Sequence, residues 1–237
     1  MIESLSSVDG VALFWFVIAW SGYTYYADTF SRNRASLMTV MYQYRLEWMK
    51  QSLKREVRVG DASLLATLIR SISLFASTAI FILGGIVAIF GGLEQVQDLT
   101  RDLTYVAKTS KIMWEIKLLT LAFVFIYAFF KFAWALRQFN YMIIVMGAFP
   151  PPDEAKTEAA QNIAERAARV NALAVLTFNR GMRAYYFGLA ALSWFIHPFV
   201  FAFATLFVVL VIYRREFKSK TLRMLNPADE IKDVLKQ

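Results

Sequence analysis

The sequence predicts an all-α protein that crosses a membrane several times. Residues 80–92 and 118–130 contain no ionisable side chain, and residues 185–213 contain only His197. Helices in water keep one polar face, so apolar stretches of this length indicate residence in a bilayer. Hydrophobic residues make up 58% of the 237 residues and charged residues 19%, below the roughly 25% typical of soluble domains. Such a chain is long enough for four to six membrane helices of about 20 residues each.

Composition excludes several kinds of chemistry. The chain has no cysteine, which excludes a disulfide framework, thiolate metal sites and a cysteine nucleophile. Its single histidine leaves too few imidazoles for a paired haem or a transition-metal site. We therefore predict no metal and no cofactor. The net charge of +8 lies mostly beside the apolar blocks, a pattern typical of cytoplasmic loops that face anionic lipid. It predicts anionic lipid headgroups, and not nucleic acid, as partners.

The N-terminal part of the chain predicts one span and a charged helical segment. Residues 11–26 form the first apolar block, with Asp9 as a helix N-cap before it and Tyr23 in an aromatic belt at its far end. Residues 28–70 are charged and lack proline. We expect the first span to continue as a helix beyond the membrane, to turn near residues 59–61, and to make residues 28–62 a cytoplasmic segment.

The middle of the chain predicts two further spans. The second covers residues 71–92. The third runs from Ile112 to Gly147, and its 36 residues measure about 54 Å as a helix, well beyond the roughly 30 Å hydrocarbon core. Part of it must therefore protrude or tilt. Three prolines, 150–152, end it. Residues 153–183 then predict an amphipathic cytoplasmic helix.

The last apolar block, residues 184–213, is either one kinked helix or a hairpin that turns at His197 and Pro198. Residues 28–70, 131–183 and 214–237 together carry a net charge of +10, and the rest of the chain carries −2. Positive-inside placement therefore favours a hairpin, with five membrane helices, the N-terminus outside, and residues 214–237 as a cytoplasmic tail. A single helix would give four spans. We predict one membrane domain, 1–237, in the plasma (inner) membrane.

Several short motifs resemble those of an uncharacterised membrane family called domain of unknown function 599. They are the stretches 183–187, 194–198 and 213–215, with similar runs at 75–78 and 131–141. The likeness covers roughly residues 11–218. It implies a multi-pass helical membrane protein, and it supplies no activity and no catalytic residues.

Two constellations could carry function. The second span has a face of small side chains, which predicts close packing against another helix. Because Arg70 lies on the same face, a pore lining is the alternative. The small residues are Ser73, Ser77, Gly84, Ala88 and Gly91. The third helix carries a stripe of polar and aromatic side chains that are separated by 4, 3, 4 and 3 residues. The stripe predicts either the end of a helix at the membrane interface or the wall of a cationic vestibule. Its members are Tyr127, Lys131, Trp134, Gln138 and Tyr141.

The basic residues near the inner boundary are candidate pore or anion and lipid-phosphate ligands; they are Arg70, Lys131, Arg137, Arg180 and Arg183. Four of them, all except Arg137, could form a ring at one depth, and contact with lipid headgroups is the simpler alternative. His197 is predicted to be a turn residue, with proton sensing as the alternative. Glu115 and Lys117 are predicted to be solvated or paired locally.

The sequence contains no enzyme constellation: it has no HExxH, no G-x-S-x-G and no P-loop. The predicted function is an oligomeric channel or transporter with a basic inner vestibule. An accessory or scaffold subunit of a larger membrane complex is the alternative. A lipid-processing enzyme is a third class, and it would need buried carboxylates or histidines that the apolar blocks lack.

Overall fold

The computed structural model describes residues 7–30, 36–101 and 110–226, and this part of the chain is helical without a strand. The helices are α1 (Ser7–Phe30), α2 (Leu37–Leu53), α3 (Val59–Gly91), α4 (Leu93–Arg101), α5 (Lys111–Gly147), α6 (Glu158–Leu192), α7 (Pro198–Phe217) and α8 (Lys220–Leu225). Short 3₁₀ turns lie at Pro152–Glu154 and Ser193–Phe195. The predicted all-α class is confirmed.

Three helical segments are long and apolar enough to cross a membrane: α3, α5 and Pro198–Leu225, which contains α7. They fit a membrane-embedded protein. The third predicted span matches α5 closely, because helix formation continues without interruption until the prolines that follow Gly147. Five spans, with α1 and α6 as the other two, stays a prediction.

The first span does not continue as one helix. α1 ends at Phe30, and α2 begins afresh at Leu37. A capping box starts α2: the Ser36 hydroxyl accepts from the Thr39 N–H at 3.2 Å, and the Thr39 hydroxyl accepts from the Ser36 N–H at 2.9 Å. This cap satisfies N–H groups that a continuous helix would have bonded internally, so the expectation of one continuous helix was wrong. The turn predicted near residues 59–61 falls slightly earlier, at residues 54–58.

The last apolar block folds as a hairpin. The Phe16 ring contacts Phe187 on α6 and Phe201 on α7, with centroid separations of 5.8 and 5.1 Å. A straight helix would place Phe187 and Phe201 about 21 Å apart, so both contacts require the chain to reverse between them. The first arm of the hairpin belongs to a longer helix, because α6 runs unbroken from Glu158 into the apolar block.

The residues group into two compact units, to which α3, α5 and α6 each contribute a part. Unit 1 consists of Met1–Ala27, Ala76–Phe130 and Arg180–Ile212. Unit 2 consists of Asp28–Phe75, Lys131–Asn179 and Tyr213–Gln237, and it contains most of the residues that the charge pattern assigned to the cytoplasm. In unit 2, α6 buries a face of alanines, which lets neighbouring helices approach closely: Ala160, Ala164, Ala167, Ala168 and Ala174.

A polar clasp in unit 2 centres on the buried carboxylate of Asp61, in the first turn of α3. It accepts from the Trp48 indole N–H at 2.7 Å, from the Ser52 hydroxyl at 2.9 Å and from the Arg55 guanidinium. The neighbouring Arg58 donates to the carbonyls of Ser52 at 3.0 Å and Pro150 at 2.9 Å. The clasp thus fixes the end of α2, the start of α3 and the chain after α5 together.

Candidate functional site

Two buried cations in unit 1 form the core of the candidate site. The first is Lys117, on the second turn of α5, whose side chain is almost fully buried at 2% exposure. Its Nζ donates to the carbonyl of Trp194 at 2.9 Å. The ammonium also lies 5.6 Å from the Trp194 ring centroid and 5.9 Å from that of Phe195, within the range of cation–π attraction.

The bond to Trp194 has a clear backbone cause. In a continuing helix the carbonyl of Trp194 would accept from the N–H of residue 198, and that residue is proline, which has none. The helix therefore breaks after Leu192, and the carbonyl would be left without a donor inside an apolar unit. Lys117 supplies the donor from another helix, and its charge suits the negative end of α6.

Asp9 completes this end of the site. The Trp194 indole N–H donates to the Asp9 carboxylate at 2.7 Å, and both side chains are buried. Trp194 thus bonds an anion through its side chain and a cation through its backbone. The cluster brings the start of α1, the start of α5 and the hairpin turn together.

The second buried cation is Arg183 on α6, whose exposure is 5%. Its guanidinium lies over the ring of Tyr23 on α1, 5.7 Å from the centroid. Arg183 and Trp194 are 11 residues apart, which is about 16 Å along a helix. The two cations therefore lie towards opposite ends of unit 1.

An aromatic cluster fills the space between them. Phe16 and Trp20 on α1 pack against Phe187 on α6 at 5.8 and 6.1 Å, and Phe201 on α7 stacks on Trp194 at 4.8 Å. The rings of Phe16, Phe187 and Phe201 are buried. This arrangement offers a cation near each end and a dry apolar constriction in the middle. The two buried cations are therefore separated by packed aromatic rings.

A family model described as "Protein of unknown function, DUF599" matches residues 11–221. The chain belongs to the DUF599 family. The resemblance predicted from the short motifs is therefore confirmed. No curated protein and no solved structure matches the chain.

In this DUF599 chain, the five basic candidates have different environments. Arg70 and Arg137 are exposed, Lys131 and Arg180 are half-buried, and Arg183 is buried. Arg70, Lys131 and Arg137 belong to unit 2, and Arg180 and Arg183 belong to unit 1. The ring at one depth stays a prediction. Only Arg183 lies in the site described above.

The predicted stripe on α5 does not form one continuous wall. Gln138 is buried at 4% exposure, whereas Trp134 and Tyr141 are about half exposed, at 50% and 47%. Seven residues of a straight α-helix turn about 20° less than two full turns, so a heptad stripe drifts around the helix. α6 also packs beside α5 in unit 2, where the Asn171 amide donates to Met142 Sδ at 3.0 Å. The stripe therefore divides between buried and exposed sides of α5.

The small-residue face of the DUF599 chain is open in the single molecule. Ser77, Gly84, Ala88 and Gly91 are exposed and Ser73 is half-buried. Within the described residues, no atom of a neighbouring element lies within 4 Å of where a side chain would begin at Gly84 or Gly91. α3 instead buries the side that carries Leu65, Ile72 and Ala79. Packing of the small face between chains stays a prediction.

The hairpin turn lies where His197 and Pro198 predicted it. Pro198 is the first residue of α7, a position where its missing N–H has no consequence for the new helix. The exposed His197 accepts the Phe199 N–H through its Nδ1 at 3.3 Å and stacks on the Phe199 ring. It therefore caps α7.

Sequence reasoning missed the partners of this turn. Asp9 was interpreted as an N-cap, but it lies inside α1 and bonds Trp194. Lys117 was expected to be solvated or paired locally, and it is instead buried and bonded to the distant Trp194. One signal was present in the sequence: Pro198 leaves the carbonyl of Trp194 without its helical donor, so a long-range donor was required. In the described residues, no group of three metal-ligating side chains is found.

Proposed function

We propose that this protein is a membrane channel or transporter for small anions, with its path through unit 1. The observation that carries the proposal is the burial of Lys117 and Arg183 in the unit that contains the apolar hairpin. Ionisable residues inside a membrane domain are expensive to bury and typically mark a path or a binding site. Two cations would draw an anion from each side, and the aromatic cluster would act as the gate.

The basic inner vestibule belongs to the same proposal. Arg180 precedes Arg183 by three residues on α6, so both lie on one side of that helix. Arg70 and Arg137, being exposed, suit contact with anionic lipid headgroups at the inner face. An open small-residue face on α3 is compatible with a homo-oligomer.

Flux measurements test the path. Purified protein in vesicles is expected to release a trapped small anion faster than protein-free vesicles of the same lipid. Arg183→Gln is expected to reduce this flux about tenfold or more, as expected from losing about 1.4 kcal/mol of anion attraction. Arg183→Lys keeps the charge and is expected to retain most of it. Arg137→Gln, an exposed arginine outside unit 1, serves as the matched control.

Two results would contradict the transport proposal. The first is a wild-type flux no greater than that of empty vesicles, which would favour the accessory or scaffold role. The second is a correctly folded Arg183→Gln protein with unchanged flux. A monodisperse elution profile for each variant separates a lost path from a lost fold.

We also propose that the hairpin turn faces the outside and α8 faces the cytoplasm of the inner membrane, as loop charge favours. Since the chain has no cysteine, single substitutions report topology without background. In intact spheroplasts, a membrane-impermeant maleimide is expected to label His197→Cys and not Lys220→Cys, two exposed positions. After permeabilisation, both should react. Labelling of Lys220→Cys in intact spheroplasts would contradict this orientation and place α8 outside.

A further inference from the structure

An apolar groove in unit 2 lies between the start of α3 and the end of α5. The two helices pack directly at the rings of Phe75 and Phe132, whose centroids are 5.8 Å apart. Nearer the ends of the helices, small side chains take the place of such rings. Ala62, Ala66 and Gly147 line the groove, whose volume of about 660 Å³ is in the range of small-molecule binding sites.

The lining of the groove is apolar except at two arginines. Leu65 is 2% exposed and Met146 is 7% exposed, so these two side chains form the floor, and the more exposed Ile143 belongs to a wall. The charged residues among those that line the groove are Arg58 and Arg70. A ligand that matches this lining is therefore apolar along its length and anionic at an end.

Arg58 is a cation that the fold holds in position at one end of the groove. Its Nε donates to the Ser52 carbonyl at 3.0 Å, its Nη2 donates to the Pro150 carbonyl at 2.9 Å, and its guanidinium lies 5.6 Å from the Phe149 ring centroid. Among the described residues, Nη1 has no hydrogen-bond partner. Nη1 and the second N–H of Nη2 can together donate to the two oxygens of a carboxylate. Because the guanidinium is already fixed, it loses little freedom on binding.

Arg70 lies at the other end of the groove, 12 residues from Arg58, or about 18 Å at the helical rise. It is exposed and directly precedes residues 71–91, which contain no ionisable side chain. Those residues measure about 31 Å as a helix and match the roughly 30 Å hydrocarbon core. The groove then lies just beyond the hydrocarbon, and its Arg70 end is the end nearer the bilayer.

The width of the groove favours a single alkyl chain as the occupant. The axes of packed helices are roughly 8–10 Å apart, so the hollow between α3 and α5 is narrow. A further helix is about 10–12 Å across with its side chains and would rest on the rim of the groove. An alkyl chain has no branches and can follow the floor, where each methylene group that leaves water adds to the affinity.

We propose that this groove binds a long-chain fatty acid taken from the bilayer. The carboxylate lies on Arg58, and the alkyl chain runs along Ala62, Ala66 and Met146 towards Arg70. The site lies within unit 2, so the proposal does not depend on anion transport through unit 1.

Photo-labelling tests the site in the full-length protein in vesicles. A palmitate analogue with a diazirine in its chain is expected to label the α3 and α5 segments that line the groove, as mapped by mass spectrometry of peptides. An excess of palmitate should reduce this labelling about tenfold, which corresponds to occupancy of a specific site. The same excess of the methyl ester, which lacks the charge, should not. Labelling spread evenly over the apolar helices, or equal competition by acid and ester, would overturn the proposal.

A groove-filling variant tests the position of the chain. Ala66→Phe adds a ring inside the groove, leaves Arg58 untouched, and is expected to reduce labelling of residues 143–147 about tenfold. Leu64→Phe is the matched control, because Leu64 is exposed and lies on the opposite side of α3, and it should label like the native protein. If Ala66→Phe labels residues 143–147 as strongly as Leu64→Phe, the chain does not lie in the groove.

The two arginines test where the carboxylate lies. Arg58→Gln is expected to remove the difference between competition by palmitate and by its methyl ester, since the charge-assisted bonds are lost. Arg70→Gln should keep that difference. If Arg70→Gln removes the difference and Arg58→Gln keeps it, the assignment of the carboxylate to Arg58 is wrong.

Discussion

Replacing Lys117 with methionine is expected to lower the free energy of unfolding by about 1–3 kcal/mol, the range for leaving a buried hydrogen-bonding group without its partner. Methionine keeps the length of the side chain and removes its charge and donors. The Trp194 carbonyl would then have no donor in an apolar unit, and Asp9 would lose its nearby cation. Both losses act at the single break between α6 and α7.

The measurement is denaturant unfolding of purified protein in mild detergent. Lys111→Met, on the same helix, is the matched control, because Lys111 is about half exposed and pairs with the exposed Glu94. It should change stability by less than about 1 kcal/mol. The double variant Lys117→Met with Asp9→Asn should lose less than the sum of the two single losses, since the groups are coupled through Trp194. Strict additivity would mean that the cluster does not act as a unit.

Replacing Asp61 with alanine is expected to destabilise unit 2 by about 3–5 kcal/mol, because one substitution removes the acceptor of three donors. Trp48 and Ser52 lose buried partners, and these losses dominate. Arg55 contributes less, since its side chain is 48% exposed and water can solvate it. Asp61→Asn keeps part of the hydrogen bonding, and we expect it to fall between alanine and the native residue.

Glu56→Ala is the control for the clasp, because Glu56 is exposed in the same loop and should change stability by less than about 0.5 kcal/mol. Limited proteolysis between α2 and α3 provides a local readout. Cleavage there should accelerate in Asp61→Ala and not in Glu56→Ala. Equal cleavage in both variants would mean that the carboxylate does not hold this loop.

Local signals in the sequence predicted much of the fold. Uninterrupted apolar residues predicted α5, the three prolines predicted its end, and His197 with Pro198 predicted the hairpin. The sequence analysis did not predict the boundary between α1 and α2, because no change in apolar periodicity accompanies the cap that Ser36 and Thr39 form. The signal was local side-chain chemistry at a helix start.

The candidate site was harder to predict because it depends on contacts between distant residues. Asp9 and Trp194 are 185 positions apart, and Lys117 and Trp194 are 77 apart. The predicted set of basic residues included Arg183, which the structure buries in unit 1. Charge counting treated Lys117 as one more charge near an apolar block. Only the three-dimensional position of the broken helix distinguishes a buried lysine from a solvated one.

The break at Pro198 also imposes an order on biogenesis. The carbonyl of Trp194 finds its donor on α5, and the indole of Trp194 finds its acceptor on α1. Both partners leave the ribosome before the hairpin is synthesised. The final two helices can therefore reach these contacts only after α1 and α5 have been made, and a chain in which either of those helices is misplaced would leave the polar groups of Trp194 without partners.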